Sequence, residues 1–90
     1  MSGQAIVNPD ELEKFANSIT AFVNNIDDAI GELQGRFNVV SDTWQDAQRD
    51  SFEEVYNELL QCLSRFKEDA SETVPYLRSK AAQLHDYLVR

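Results

Sequence analysis

Apolar residues recur at helical spacing along the first half of the chain. From Leu12 the successive steps are 3, 4, 3, 4, 4, 3 and 4 residues, and a mean near 3.6 indicates one amphipathic helix. Asn8 is a good N-cap, Pro9 suits the first helical position, and Glu11 completes a capping box. We therefore predict a helix over about 9–39. Its apolar stripe comprises Leu12, Phe15, Ile19, Phe22, Ile26, Ile30, Leu33 and Phe37.

A second stripe with the same period runs from Phe52 to the end of the chain and predicts a helix over about 46–88. Pro75 lies inside it, where proline removes a backbone hydrogen bond and disfavours helix at the preceding residue. The stripe keeps its phase across Pro75, which favours a kinked but continuous helix over the alternative of two separate helices. The stripe comprises Phe52, Tyr56, Leu59, Leu63, Phe66, Ala70, Val74, Leu77, Ala81, Leu84 and Leu88.

The short connection between the helices requires them to fold back as an antiparallel hairpin, so we predict an all-α single domain over 1–90. Val23, Val55 and Leu60 flank the stripes and make them wider than one line of helix contact needs. That surplus predicts dimerisation of two hairpins into a four-helix bundle. The predicted core of hairpin and dimer comprises Leu12, Phe15, Ile19, Phe22, Ile26, Ile30, Leu33, Phe52, Tyr56, Leu59, Leu63, Phe66, Leu77 and Leu84.

The net negative charge of the chain argues against some classes of binding partner. The net charge is -8, and residues 1–75 hold five basic against fifteen acidic side chains. This balance repels phosphate backbones and anionic lipids, so we expect no nucleic acid as a partner. No apolar run approaches the roughly 20 residues that cross a bilayer, so we expect no membrane insertion. The N-terminus lacks the charged and apolar regions of a signal peptide.

Candidate chemistry is sparse. Cys62 is the only cysteine, which excludes an internal disulfide, and its position beside Leu63 predicts a half-buried filler. His85 is the only histidine and is expected at or near the solvent boundary. No spacing suggests a nucleophile with a base or a set of metal ligands, so we predict no catalytic residues, no metal site, no cofactor and no enzymatic activity.

The only tryptophan, Trp44, lies in the predicted bend at about 40–45. A tryptophan there can cover the end of the apolar core while its N–H reaches water or a carbonyl. It can also present a recognition surface at the tip of the hairpin. The pattern leaves both interpretations open.

The motif Trp44-Gln45-Asp46-Ala47, the length of the chain and the long amphipathic helices on either side resemble the Trp-x-Gly (WXG) family of small helical-hairpin proteins of type VII (ESX-type) secretion. The resemblance covers essentially the whole chain. It implies a homodimer or a heterodimer with a related hairpin, and a recognition motif at Trp44, Gln45 and Asp46 that contacts the secretion ATPase or an effector.

Two features depart from the family pattern. Asp46 stands where the family has Gly, and Asp caps helices well but tolerates a left-handed backbone poorly. The family's Tyr-x-x-x-Asp/Glu export signal is not completed after Tyr56, which is followed by Leu60, or after Tyr76, which is followed by Lys80. Three alternatives follow: a partner carries the signal, the secretion system reads another feature, or this member is not exported.

These observations predict a non-enzymatic substrate or partner of a type VII-like secretion system, cytoplasmic before export and then secreted without a signal peptide. The alternative is a cytoplasmic helical adaptor or scaffold dimer that is not exported.

Overall fold

The computed structural model describes residues 7–88, which form an antiparallel pair of long α-helices. Helix α1 spans Pro9–Ser41 and helix α2 spans Ala47–Leu88, and the two form a rod of 65 × 25 × 15 Å. No strand occurs among the described residues. The predicted all-α helical hairpin is therefore confirmed. Neither helix of this part of the chain is both long enough and apolar enough to cross a bilayer.

Helix α1 begins at Pro9, directly after the predicted N-cap residue Asn8. The Asn8 side-chain oxygen accepts hydrogen bonds from the backbone N–H groups of Asp10 at 2.8 Å and Glu11 at 3.4 Å, and Pro9 occupies the first helical position. These bonds satisfy N–H groups that have no partner inside the helix. The Glu11 carboxylate lies 3.9 Å from the Lys14 ammonium.

The ends of the helices differ slightly from the predicted bounds. Helix α1 continues to Ser41, two residues beyond the predicted end, and α2 begins at Ala47. Helix α2 is unbroken through Pro75, so the alternative of two separate helices does not occur. Because Pro75 has no N–H, the carbonyl one turn earlier loses its helical donor without ending the helix.

The two helices meet along a narrow seam with steps of 3 and 4 residues, which alternate throughout α2 and, apart from two consecutive steps of 4 at Ile26–Ile30–Gln34, in α1. This is the spacing of a coiled-coil contact. In α2 every residue that is not exposed belongs to this series, apart from His85. The seam, as the term is used below, comprises Leu12, Ala16, Ile19, Val23, Ile26, Ile30, Gln34, Phe37 and Ser41 of α1, and Arg49, Glu53, Tyr56, Leu60, Leu63, Lys67, Ala70, Val74, Leu77, Ala81 and Leu84 of α2.

The two most completely buried residues of the seam are alanines. Ala16 and Ala81 are both 0% exposed, and Ala70 is also buried. Alanine allows two helix backbones to approach closely where larger side chains would hold them apart. Cys62, predicted to be half-buried, is exposed instead, because it lies on the outer side of α2, away from the seam.

Candidate recognition surfaces

One side of the hairpin carries a row of large apolar side chains that the chain itself leaves exposed. They lie immediately beside the seam on α1 and on α2, at positions that come to the same side of an antiparallel pair. Phe22 is 53% exposed and Leu59 is 48% exposed. We call this surface the apolar face; it comprises Phe15, Phe22, Leu33, Val40, Phe52, Leu59 and Phe66.

The best-defined part of the apolar face is an aromatic pair that bridges the two helices. The rings of Phe22 and Phe66 lie 5.6 Å apart at 90°, an edge-to-face arrangement. Together with Phe15 they line an open groove whose polar rim includes Asp69 and Thr73. The groove is shallow and open to solvent, so it is suited to side chains of another protein surface more than to enclosure of a small molecule.

The opposite side of the hairpin is polar. The Lys67 ammonium lies 2.7 Å from the Asp27 carboxylate, and the Arg78 guanidinium donates a hydrogen bond to Asn17 Oδ1 at 3.1 Å. Both contacts join α1 to α2 across the edge of the seam. The seven exposed side chains of the apolar face thus lie on the side opposite these polar contacts, and other exposed apolar residues, such as Val39 and Val55, lie elsewhere on the surface.

The bend between the helices is closed by backbone hydrogen bonds and one cap. The backbone N–H of Trp44 donates to the Val40 carbonyl at 2.8 Å. This bond has the same i to i−4 spacing as the hydrogen bonds within α1. Asp46 Oδ1 then accepts from the backbone N–H of Arg49 at 3.1 Å and caps α2. No non-glycine residue among 7–88 has a positive φ, so Asp46 replaces the family glycine without backbone strain and takes the role of a cap.

Trp44 ends an aromatic cluster that fills the tip of the hairpin. Its ring centroid lies 6.4 Å from that of Phe52, which stacks on Tyr56 at 5.8 Å, and Phe37 packs against both. Trp44 itself is half-buried. Its position is therefore compatible with both interpretations left open by the sequence, because Trp44 packs against Phe52 and yet keeps part of its surface accessible.

Gln45 and Asp46 complete the predicted recognition motif and are exposed beside Trp44. Gln45 Nε2 donates to the Asp42 carbonyl at 3.4 Å, so the side chain folds back over the bend. Both residues border a polar crevice together with Arg49 and Asp50. The tip therefore combines an aromatic edge with amide, carboxylate and guanidinium groups within one small area.

Arg49 is the residue of the tip that sequence reasoning missed. Its guanidinium donates to Ser41 Oγ through Nε at 2.8 Å and also through Nη2, and it lies 3.3 Å from Asp50 and 3.7 Å from Glu53. Its side chain is only 25% exposed. The sequence does show a basic residue next to the predicted bend of an acidic chain, and this could have indicated a role for Arg49. A search for periodic apolar residues does not detect it.

Comparison with known proteins places these features in one family. The family model described as proteins of 100 residues with WXG matches residues 4–87, which is nearly the whole chain. No curated protein and no solved structure matches. Since the match spans both helices and the bend with Trp44, the chain belongs to the WXG100 family of small proteins associated with type VII secretion.

Proposed function

We propose that this protein is a non-enzymatic substrate or partner of a type VII secretion system that acts as a dimer of helical hairpins and is secreted without a signal peptide. The observation that carries the proposal is the apolar face, which one hairpin exposes on a single side. Proteins of the WXG100 family pair as dimers, and a second hairpin, identical or related, has the shape to cover such a row.

The free energy gained by burying apolar side chains favours a second hairpin on the apolar face. Fully burying one Phe or Leu side chain contributes about 1.5–3 kcal/mol, and the face holds seven apolar residues. Within one hairpin each of these side chains has at least 39% of its surface exposed. A row of exposed apolar side chains that extends along the rod from Phe15 to Phe52 differs from the scattered single apolar residues that are normal on a protein surface.

The second part of the proposal is that the bend is a recognition site. Trp44, Gln45 and Asp46 lie at the tip of the rod, where the two helices meet at the bend, and Gln45 and Asp46 are exposed there. We infer that they contact the secretion ATPase or an effector. The aromatic edge of Trp44 beside exposed polar groups is the combination that recurs in protein recognition sites.

Dimerisation is tested by light scattering coupled to size exclusion over a concentration series. We expect a mass near twice 10.3 kDa for a homodimer, or a doubled mass only after co-expression with a related hairpin. Replacing both Phe22 and Phe66 by Ser should give a monomer. Val39→Ser is the matched control, because Val39 is 72% exposed on the outer side of α1 and should leave the mass unchanged.

Secretion is tested in a strain that carries a type VII system. We expect the protein in the culture medium and its loss from the medium when the secretion ATPase is deleted. A dimer that stays in the cytoplasm under these conditions contradicts the proposal and supports the adaptor alternative. A folded monomer whose mass no partner doubles contradicts dimerisation itself.

A further inference from the structure

A cluster of three potential metal ligands closes the open end of the hairpin, far from the bend. Asp10 and Glu13 lie one turn apart in the first turns of α1, and His85 lies in the last turn of α2. One ligand atom from each lies within 4.8 Å of the other two, and His85 Nε2 is 3.1 Å from Asp10 Oδ1. Residues from the two ends of the chain thus converge on one point.

The chemistry of the three groups fits a transition metal better than an alkaline-earth ion. Imidazole nitrogen is a favoured ligand of Zn²⁺, whereas Ca²⁺ and Mg²⁺ prefer oxygen ligands alone. Two ligands bound tetrahedrally at about 2.0–2.1 Å from one Zn²⁺ lie roughly 3.3 Å apart. The separation of 3.1 Å between His85 Nε2 and Asp10 Oδ1 is close to that value.

A direct ion pair between His85 and Asp10 accounts for only part of the cluster. It leaves the Glu13 carboxylate without a basic partner, since no Lys or Arg pairs with Glu13 among residues 7–88. The two carboxylates of the cluster carry two formal negative charges. The positive end of α1 offsets this by roughly half an elementary charge at most, so the site still attracts a divalent cation.

We propose that Asp10, Glu13 and His85 bind one Zn²⁺ ion, with water completing its coordination, and that the ion ties the start of α1 to the end of α2. The three residues lie on the polar side of the hairpin, with Asp27 and Arg78, and not on the apolar face. The site is therefore available whether or not a second hairpin covers that face. Its function is to hold closed the end of the rod that the bend does not hold.

Binding is tested on the full chain by isothermal titration calorimetry with ZnCl₂ after treatment with a chelator. We expect saturation at one ion per chain and a thermal midpoint that rises with zinc concentration. Asp10→Asn, Glu13→Gln and His85→Gln should each weaken binding at least about tenfold. Glu11→Gln is the matched control, because Glu11 is exposed in the same turn but lies outside the cluster, and it should bind zinc like the unmodified chain.

Further experiments test where zinc binds and whether the site prefers zinc to other divalent cations. Zinc should slow amide hydrogen exchange in the first turns of α1 and the last turns of α2, and it should leave the mass measured by light scattering unchanged. Several results overturn the proposal: no zinc binding at millimolar concentration, equal binding by Mg²⁺, a His85→Gln variant that binds normally, an equal loss in Glu11→Gln, or binding that occurs only when the mass increases. The last result would place the ion between two copies of the chain.

Discussion

The guanidinium carbon of Arg49 lies 5.6 Å from the centre of the Phe37 ring, so a cation on α2 stacks on an aromatic side chain of α1. The same guanidinium donates to Ser41 Oγ at the last residue of α1. Arg49 therefore joins the end of one helix to the start of the next by a cation–π contact and hydrogen bonds.

Replacing Arg49 by Ala should lower the free energy of unfolding by about 1–3 kcal/mol, because it removes a partly buried cation–π contact and leaves Ser41 without its donor. Urea denaturation followed by circular dichroism measures the change. Arg36→Ala is the control, since Arg36 pairs with Glu32 on the surface with 77% of its side chain exposed, and its loss should cost less than about 0.5 kcal/mol. Equal effects of the two substitutions would contradict the role assigned to Arg49.

Replacing Tyr56 by Phe should leave stability unchanged or raise it by about 1 kcal/mol, because removing an unsatisfied buried hydroxyl eliminates its desolvation penalty. Tyr56 is 4% exposed, and its hydroxyl has no hydrogen-bond partner among the described residues. The substitution keeps the ring that packs on Phe37 and Phe52. Thermal denaturation measures the change. Tyr76→Phe, at a position 64% exposed, is the control, and a clear loss of stability in Tyr56→Phe would mean that the hydroxyl has a partner such as bound water.

The sequence predicts the two helices and the hairpin well, because a period near 3.6 sustained over so many residues is typical of amphipathic helices and of no other regular element. It predicts less well which apolar residues form the seam. Phe22 and Leu59 belong to the predicted stripes but are exposed, whereas their neighbours Val23 and Leu60, predicted to flank the stripes, lie in the seam. Periodicity gives the direction of an apolar surface, but the position of the partner helix within that surface depends on packing.

Most of the other features of the structure that the sequence did not predict involve small or charged residues. Ala16 is fully buried although it is absent from the predicted stripe, because its small side chain gives a weak hydropathy signal where close helix approach needs it. Arg49 occupies a seam position that apolar periodicity does not mark. The cluster of Asp10, Glu13 and His85 has no sequence motif because only folding brings the two ends of the chain together.

Replacing Gly35 by Ala should stabilise the isolated chain by about 0.5–1 kcal/mol, because alanine favours the helix interior over glycine. A Cβ atom at Gly35 meets no other atom within 4 Å, so the hairpin has room for it. Chemical denaturation of the Gly35→Ala chain measures the gain. If the dimer packs a helix closely against Gly35, the same substitution should instead weaken the dimer, so the mass of the variant shows whether that side of α1 belongs to the interface.

Replacing Trp44 by Ala should abolish secretion while leaving a folded protein. Full removal of a buried aromatic side chain costs about 3–5 kcal/mol, but Trp44 is only half-buried, so we expect a cost nearer the lower end or below it. Circular dichroism and light scattering establish that the Trp44→Ala chain keeps its helices and its mass. Secretion is then measured as the fraction of soluble folded protein that reaches the culture medium.

Phe37→Ala is the matched control for Trp44, because Phe37 belongs to the same aromatic cluster but is only 9% exposed and offers almost no surface to a partner. It should destabilise the hairpin at least as much as Trp44→Ala and still permit secretion of the fraction that remains folded. If secretion falls in proportion to stability in both variants, Trp44 acts as part of the core alone. A loss of secretion confined to Trp44→Ala assigns Trp44 to recognition, since the buried Phe37 removes at least as much stability but almost no accessible surface.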